Sequence, residues 1–216
     1  MTLLPLPTLA YTLRMHSRVS AFSEFRVLRK LNTPRKIQDF LDTIPINKEI
    51  VAETCTSPLV TLRRNTAHCM EGALLAGLAL SMHGQRPLIL DLKTARHDVD
   101  HLVALFKVDG CWGGITKTNH AVLRYREPVY RSVRELAMSY FHEYFLDDGR
   151  KTLRQYSTPF DLSKWKGDWV ASPDDLWDLQ NAIDDSPHRS ILTRSQIAGL
   201  RRADRIELEA GKLTEW

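Results

Sequence analysis

Asn65-Thr66-Ala67-His68-Cys69-Met70-Glu71-Gly72-Ala73-Leu74-Leu75-Ala76-Gly77-Leu78-Ala79-Leu80 reads as one helix with a cysteine in its first turn. Asn65 or Thr66 carries the short polar side chain that caps the free N–H groups of a first turn. Gly84 supplies a stop. With Thr66 as the cap, Cys69 is the third helical residue, where unpaired N–H groups and the positive helix end favour thiolate over thiol. Ala73, Ala76, Gly77 and Leu80 form a stripe at helical spacing that is small beside the cysteine. Small residues let a sheet come close, which presses a nucleophile against a base carried on a strand. A cysteine in an Ala/Leu/Gly helix is otherwise a small core hydrophobe, so the residues that follow decide between the two.

After Gly84 the pattern changes to strands. Pro87 to Leu92 is a short apolar run, and His101 to Val108 is apolar almost throughout, which predicts a strand covered on both faces. Asp109-Gly110 is a two-residue hairpin turn and Cys111 to Ile115 the return strand. A third strand is expected at Asn119 to Arg124. Pro128 then opens a helix running to about Tyr144, with Val129, Val133, Leu136, Tyr140 and Phe141 on one face.

Upstream of the cysteine, Ser17 to Leu31 is weakly helical, with Val19, Phe22, Val27 and Leu31 as candidate buried positions. Thr33-Pro34 opens a better helix with Ile37, Phe40, Leu41 and Ile44 as its stripe, ended by Pro45. Glu49 to Arg64 is read as a connection broken at Pro58. Downstream, Ser172-Pro173-Asp174-Asp175 starts a short helix. Thr193-Arg194-Ser195-Gln196 has the capping-box pattern of a last helix that stops at Gly211.

The 216 residues suffice for one large domain or one domain with an appendage, and 43% hydrophobic and 26% charged residues are the profile of globular material. A net charge of +4, with basic residues scattered among acidic ones, does not suggest a nucleic-acid protein. Arg194, Arg201, Arg202 and Arg205 cluster near the last helix, but Glu207 and Glu209 interrupt them. Three cysteines (Cys55, Cys69 and Cys111) imply no disulfide framework and point to a reducing, cytoplasmic location. No Cys/His spacing suggests zinc, so neither metal nor cofactor is expected. Met1 to Pro7 lacks the basic start of a signal peptide and reads as a loose terminus. No apolar run is long enough to span a membrane.

A helix opened by a cysteine, then a strand opened by His101, then a tight hairpin followed by Trp112 resembles the transglutaminase-like superfamily of thiol enzymes, relatives of papain in fold. The resemblance covers about Arg64 to Thr118 and rests on His101-Leu102-Val103-Ala104-Leu105-Phe106-Lys107-Val108-Asp109-Gly110-Cys111-Trp112. It implies an α+β fold in which the nucleophile helix packs on an antiparallel sheet, with helical additions at both ends. The expected divisions are a loosely ordered segment over 1–32, the core over 33–150 and a mostly helical extension over 151–216. It also implies hydrolysis or acyl transfer at an amide, with a peptide or protein as substrate. Cys69 would be the nucleophile and His101 the base.

The family usually orients its histidine with an aspartate, and this chain departs from the pattern. With Val108 opposite Cys111, His101 lies opposite Thr118 and Thr116 sits on the diagonal. Thr116 therefore has the right face. Asn119 has the better chemistry, since an amide holds an imidazole in papain-like enzymes, but it needs a bulge to turn inward. His68 is read as a first-turn residue on another helix face, His120 and Cys111 as strand residues, and Trp112 as either core or cleft wall. Asp98 and Asp100 stand at the entry to His101, and Arg63 and Arg64 precede the helix. The missing aspartate motivates a second reading, a non-catalytic module of the same fold that binds protein or peptide.

Overall fold

The Asp109-Gly110 turn sets the centre of the sheet. In the computed structural model, which describes Met15 and residues 17–48 and 53–215, Asp109 and Gly110 take positive φ angles of 49° and 83°. That left-handed pair matches the twist of the two strands it joins. These are β2 (His101–Val108) and β3 (Cys111–Ile115), with Val108 opposite Cys111 and Ala104 opposite Ile115. The other strands are β1 (Leu88–Thr94), β4 (Arg126–Tyr130), β5 (Leu153–Ser157), β6 (Phe160–Asp161) and β7 (His188–Ser190). They make one seven-stranded sheet in the order β4-β3-β2-β1-β5-β7, with β6 also paired to β1, and every described pairing is antiparallel.

The ladder between β2 and β3 ends at Ala104 and Ile115, short of the register extrapolated from the turn. Gln38 causes this. Its side-chain amide accepts from Thr116 N at 3.0 Å and donates to Thr116 O at 2.9 Å, which draws Thr116 off the sheet. His101 pairs instead with Leu92 on β1, so the expected opposition of His101 and Thr118 is not formed.

Both faces of the sheet are covered, as the apolar β2 run predicts. On one face Ile89, Ala104, Phe106 and Ile115 join a core with the helix Cys69–Met82. On the other, Leu90, Leu92, Val103 and Leu105 meet Leu136, Tyr140 and Tyr144. Every residue from Met70 to Met82 is buried, because α1 (Pro34–Thr43), α2 (Pro58–Arg64) and a 3-10 helix (Ser23–Lys30) enclose the side of α3 (Cys69–Met82) away from the sheet. A helix apolar all round has to be enclosed in this way. Thr33 caps α1 by accepting from Lys36 N at 3.3 Å. Ser57 caps α2, so Pro58 is a helix start rather than a break.

Lys117 ties this layer together. It is 4% exposed, and its ammonium donates to the carbonyls of Leu41 and Ile44 at the end of α1. Its stem crosses α3 at Gly72, where an added Cβ would lie 2.3 Å from Lys117 Cβ.

Several expectations are corrected. Pro128 lies in β4, on the sheet edge where a missing N–H is tolerated. The helix after it is α4 (Val133–Ser139), capped by Ser132. No strand forms over residues 119–124 beyond a bridge between His120 and Thr214. The segment Ser23–Lys30 buries Phe25 and Leu28 fully, at the spacing of three that a 3-10 helix favours, and Phe22, Val27 and Leu31 only partly. The anticipated boundary at 150 does not divide the sheet, since β5, β6 and β7 follow it. Further helices are α5 (Trp177–Asp184), α6 (Arg194–Ala198) and α7 (Arg205–Gly211), with short 3-10 turns at Phe141–Glu143 and Leu162–Lys164, so the single last helix is two. The reading of Met1 to Pro7 lies outside the described residues.

Gly110→Val should lower unfolding stability by about 1–3 kcal/mol, the usual cost of a side chain held at positive φ. Gly72→Ala should also destabilise, although alanine is the better helix former by about 1 kcal/mol, because the methyl meets Lys117. Urea unfolding midpoints test both, and a stabilised Gly72→Ala would refute the Lys117 clasp.

Candidate active site

The first turn of α3 starts later than the sequence suggests. His68 is the N-cap and Cys69 the first helical residue. Asn65 ends α2 with a left-handed φ of 51°. Ala67 is held extended, donating to Pro45 O at 3.1 Å and accepting from Asn47 N at 3.0 Å. The cap is completed by Glu71, whose carboxylate accepts from His68 N at 3.2 Å.

Glu71 is 1% exposed and carries more than a cap. It also accepts from Thr54 Oγ1 at 2.9 Å and Thr56 N at 3.2 Å, and it lies 3.0 Å from His68 Nδ1. Burial works against its charge, but His68, Thr54 and Thr56 hold its pKa below the usual carboxylate range. Burial likewise opposes a charged His68, yet hydrogen bonding and charge from Cys69 and Glu71 raise its pKa to about 11. At Cys69 burial favours the thiol, while hydrogen bonding from His101 and then His68, with the charge on both rings, brings the pKa to about 6. The cysteine is thus a thiolate at neutral pH, held between two imidazoles.

His101 opens β2 and is 6% exposed. Its Nε2 is buried without a hydrogen-bond partner. Of the two residues considered for orienting it, Thr116 has its hydroxyl engaged elsewhere. Thr116 Oγ1 donates to Leu123 O at 2.7 Å. Asn119 lines the same cleft as His101, and its backbone carbonyl accepts from Glu215 N at 2.9 Å. Tyr144 reaches this cleft from the other face of the sheet. Its hydroxyl is buried and unpartnered, and its pKa is raised by burial and then by the Cys69 charge.

Two clefts meet at the cysteine. One has a volume of about 370 Å³ and the other about 570 Å³, and Cys69, His68, Asp98, Val99 and Asp100 line both. Val99 is 77% exposed at the lip between them. The smaller cleft is acidic, with Glu53, Asp91 and Asp184 added, and Trp177 on its wall. Asp91 is 2% exposed and bonds to His188 Nε2 at 3.1 Å. Burial and then the Asp100 charge push its pKa above the usual range.

Other sequence candidates fall away from the thiol. Trp112 lines neither cleft; it sits beneath Lys107 Nζ at 4.6 Å from the ring centre. Arg63 donates to Glu24 at 2.7 Å. Asp98 and Asp100, by contrast, stay on the walls of both clefts, tied to Thr152 and Thr94. The residues missed are His68 and Glu71. Their three-residue spacing is that of a capping box, while the sequence alone reads His68 as a first-turn residue on a different helix face from Cys69.

Set against known proteins, the chain matches no family model and no curated sequence.

Iodoacetamide should alkylate Cys69 with a rate that rises through about pH 6 and is flat from 7 to 9. Cys55, whose pKa burial pushes up to about 12, should stay inert. Glu71→Gln should move the Cys69 midpoint upward, because it weakens the His68 charge, while Thr116→Val should leave it in place. A midpoint near that of a free thiol, about 8.5, would refute the thiolate assignment.

Proposed function

We propose that this chain is a transglutaminase-like thiol hydrolase or acyltransferase that acts on an amide, with Cys69 as nucleophile. The observation that carries this reading is the place of Cys69, first residue of its helix at the junction of two clefts with His68 and His101 against it, an arrangement that brings its pKa down to about 6. A buried structural cysteine has its pKa raised, as Cys55 does.

The chemistry follows from the charges. The thiolate attacks the substrate carbonyl carbon, and the carbonyl electron pair moves to oxygen. Cys69 N–H, at the first helical position, makes no bond within the helix and is placed to stabilise that oxyanion. Collapse expels the amine, which takes a proton from an imidazolium. His68 is suited to this step because part of its raised pKa comes from the thiolate itself. Once the sulfur is acylated, that support is lost and the proton becomes acidic enough to leave. Water or an amine then attacks the thioester, gives its proton to the imidazole and releases the thiolate. His101, the second ring against the sulfur, holds the thiolate in line and shares the base role. The papain-like arrangement of helix and sheet belongs to this same reading.

A second reading has one observation in its favour. His101 Nε2 has no orienting partner, which suits a binding module that has kept the thiol pocket without turnover.

Incubation with p-nitrophenyl acetate separates the two. An enzyme should accumulate an acetyl thioester on Cys69, seen by intact mass, that clears with time and faster with added amine. His68→Ala and His101→Ala should each slow acylation by about 10²–10⁴-fold, the usual worth of an acid–base group. A wild-type protein that gains no more acetyl than Cys69→Ala would overturn the enzymatic reading in favour of the binding module.

A further inference from the structure

The acidic end of the smaller cleft holds three carboxylates from three separate parts of the fold. Asp91 comes from β1, Asp100 from the residue before β2, and Asp184 from the end of α5. One oxygen from each lies within 4.8 Å of the others. Like charges at this distance repel unless something positive stands between them.

Each carboxylate is pinned by one of its oxygens. Asp91 Oδ2 is bonded by His188 Nε2 at 3.1 Å. Asp100 Oδ1 accepts from Thr94 N at 2.7 Å and Thr94 Oγ1 at 2.9 Å. Asp184 Oδ1 accepts from Lys93 Nζ at 2.6 Å. The second oxygen of each is left over. That of Asp91 is the decisive one: Oδ1 is buried without a hydrogen-bond partner, on a side chain only 3% exposed. Leaving a carboxylate oxygen desolvated and unpaired is costly. Outer groups that fix carboxylates while leaving one oxygen each are the usual surroundings of a metal site.

We propose that Asp91, Asp100 and Asp184 bind a hard divalent cation, calcium in preference to magnesium. All three ligands are oxygens, and two Ca–O bonds of about 2.3–2.6 Å reach across any separation up to the 4.8 Å limit within which they lie, whereas Mg–O bonds of about 2.0–2.1 Å demand a tighter set. The cation completes the pairing that Lys93 and His188 begin, and it joins β1, the loop before β2 and α5 into one cleft wall. It shares the smaller cleft with Cys69 but does not depend on the thiol chemistry.

Terbium luminescence on the full chain, freed of metal by a chelator, tests the site, since Trp177 lines the same cleft and can sensitise the ion. Tryptophan-excited emission should saturate with Tb³⁺ and be displaced by excess Ca²⁺, more readily than by Mg²⁺. Cys69→Ala should behave as wild type, which separates this result from the fate of the catalytic reading. Asp91→Asn and Asp184→Asn should each weaken binding about tenfold or more. Asp184 is on the surface, so its variant remains a fair test if Asp91→Asn fails to fold. Wild-type emission that Ca²⁺ does not displace, or that Asp184→Asn leaves unchanged, would overturn the site. A melting temperature raised by free arginine or cadaverine but not by Ca²⁺ would overturn it too, and would assign the cleft to an organic cation.

Discussion

The buried carboxylate of Glu71 is the constraint on which the site depends. It takes one hydrogen bond from the chain entering the helix, two from the neighbouring segment (the Thr54 hydroxyl and the Thr56 N–H), and the Nδ1 contact of His68. A buried charge survives only when its oxygens are fully engaged. Here the engagement does two things at once. It fixes where the helix begins, and it makes His68 a cation next to Cys69. Helix start, imidazolium and thiolate are therefore one electrostatic unit within four consecutive residues.

The rest of the fold supplies what those four residues lack. The sheet brings His101 to the sulfur from β2, and Tyr144 comes from beyond the opposite face. The apolar surround of α3 covers one side of the half-buried thiolate while its partners stay in place, and the two imidazoles outweigh desolvation. Gln38 and Lys117 settle a competition between two layers for the same stretch. Strand pairing would carry β3 on past Ile115, but the side chain of Gln38 satisfies both backbone groups of Thr116. Lys117 then turns to the open carbonyls at the end of α1. The strand ends there for that reason.

The parts of the fold legible in the sequence are those written in local chemistry. Asp109-Gly110 declares its positive φ angles, Thr33-Pro34 declares a helix start, and the unbroken apolar run of β2 declares two covered faces. Cys69 and His101 were legible by type and order. Their supports were not. His68 reads as a first-turn residue on a different face from Cys69 only while Thr66 is taken as the cap, and Thr66 is pre-empted by the bridge at Ala67, a contact with Ile46 that no local pattern shows. Pro128 reads equally as a first helical residue and as an edge-strand residue, and only the sheet decides. Strands of two and three residues, such as β6 and β7, have no periodicity to read. The bond between Asp91 and His188 spans 97 positions and leaves no trace in either neighbourhood.

The pairing of Leu92 with Tyr156 has a consequence for how the molecule is made. β1 lies in the middle of the sheet, yet one of its two flanks is encoded far downstream, after β2, β3, β4 and α4 have all been synthesised. On the ribosome, β1 waits with one edge bare while the thiol-bearing helix is already out. Such a wait slows folding, because the loop must close before its contacts repay it. It also makes the final third of the described chain a structural necessity: a nascent chain halted near residue 150 presents the central strand as an open edge, a template for association with other chains. Maturation of the thiol pocket and protection of that edge are therefore completed by the same late event.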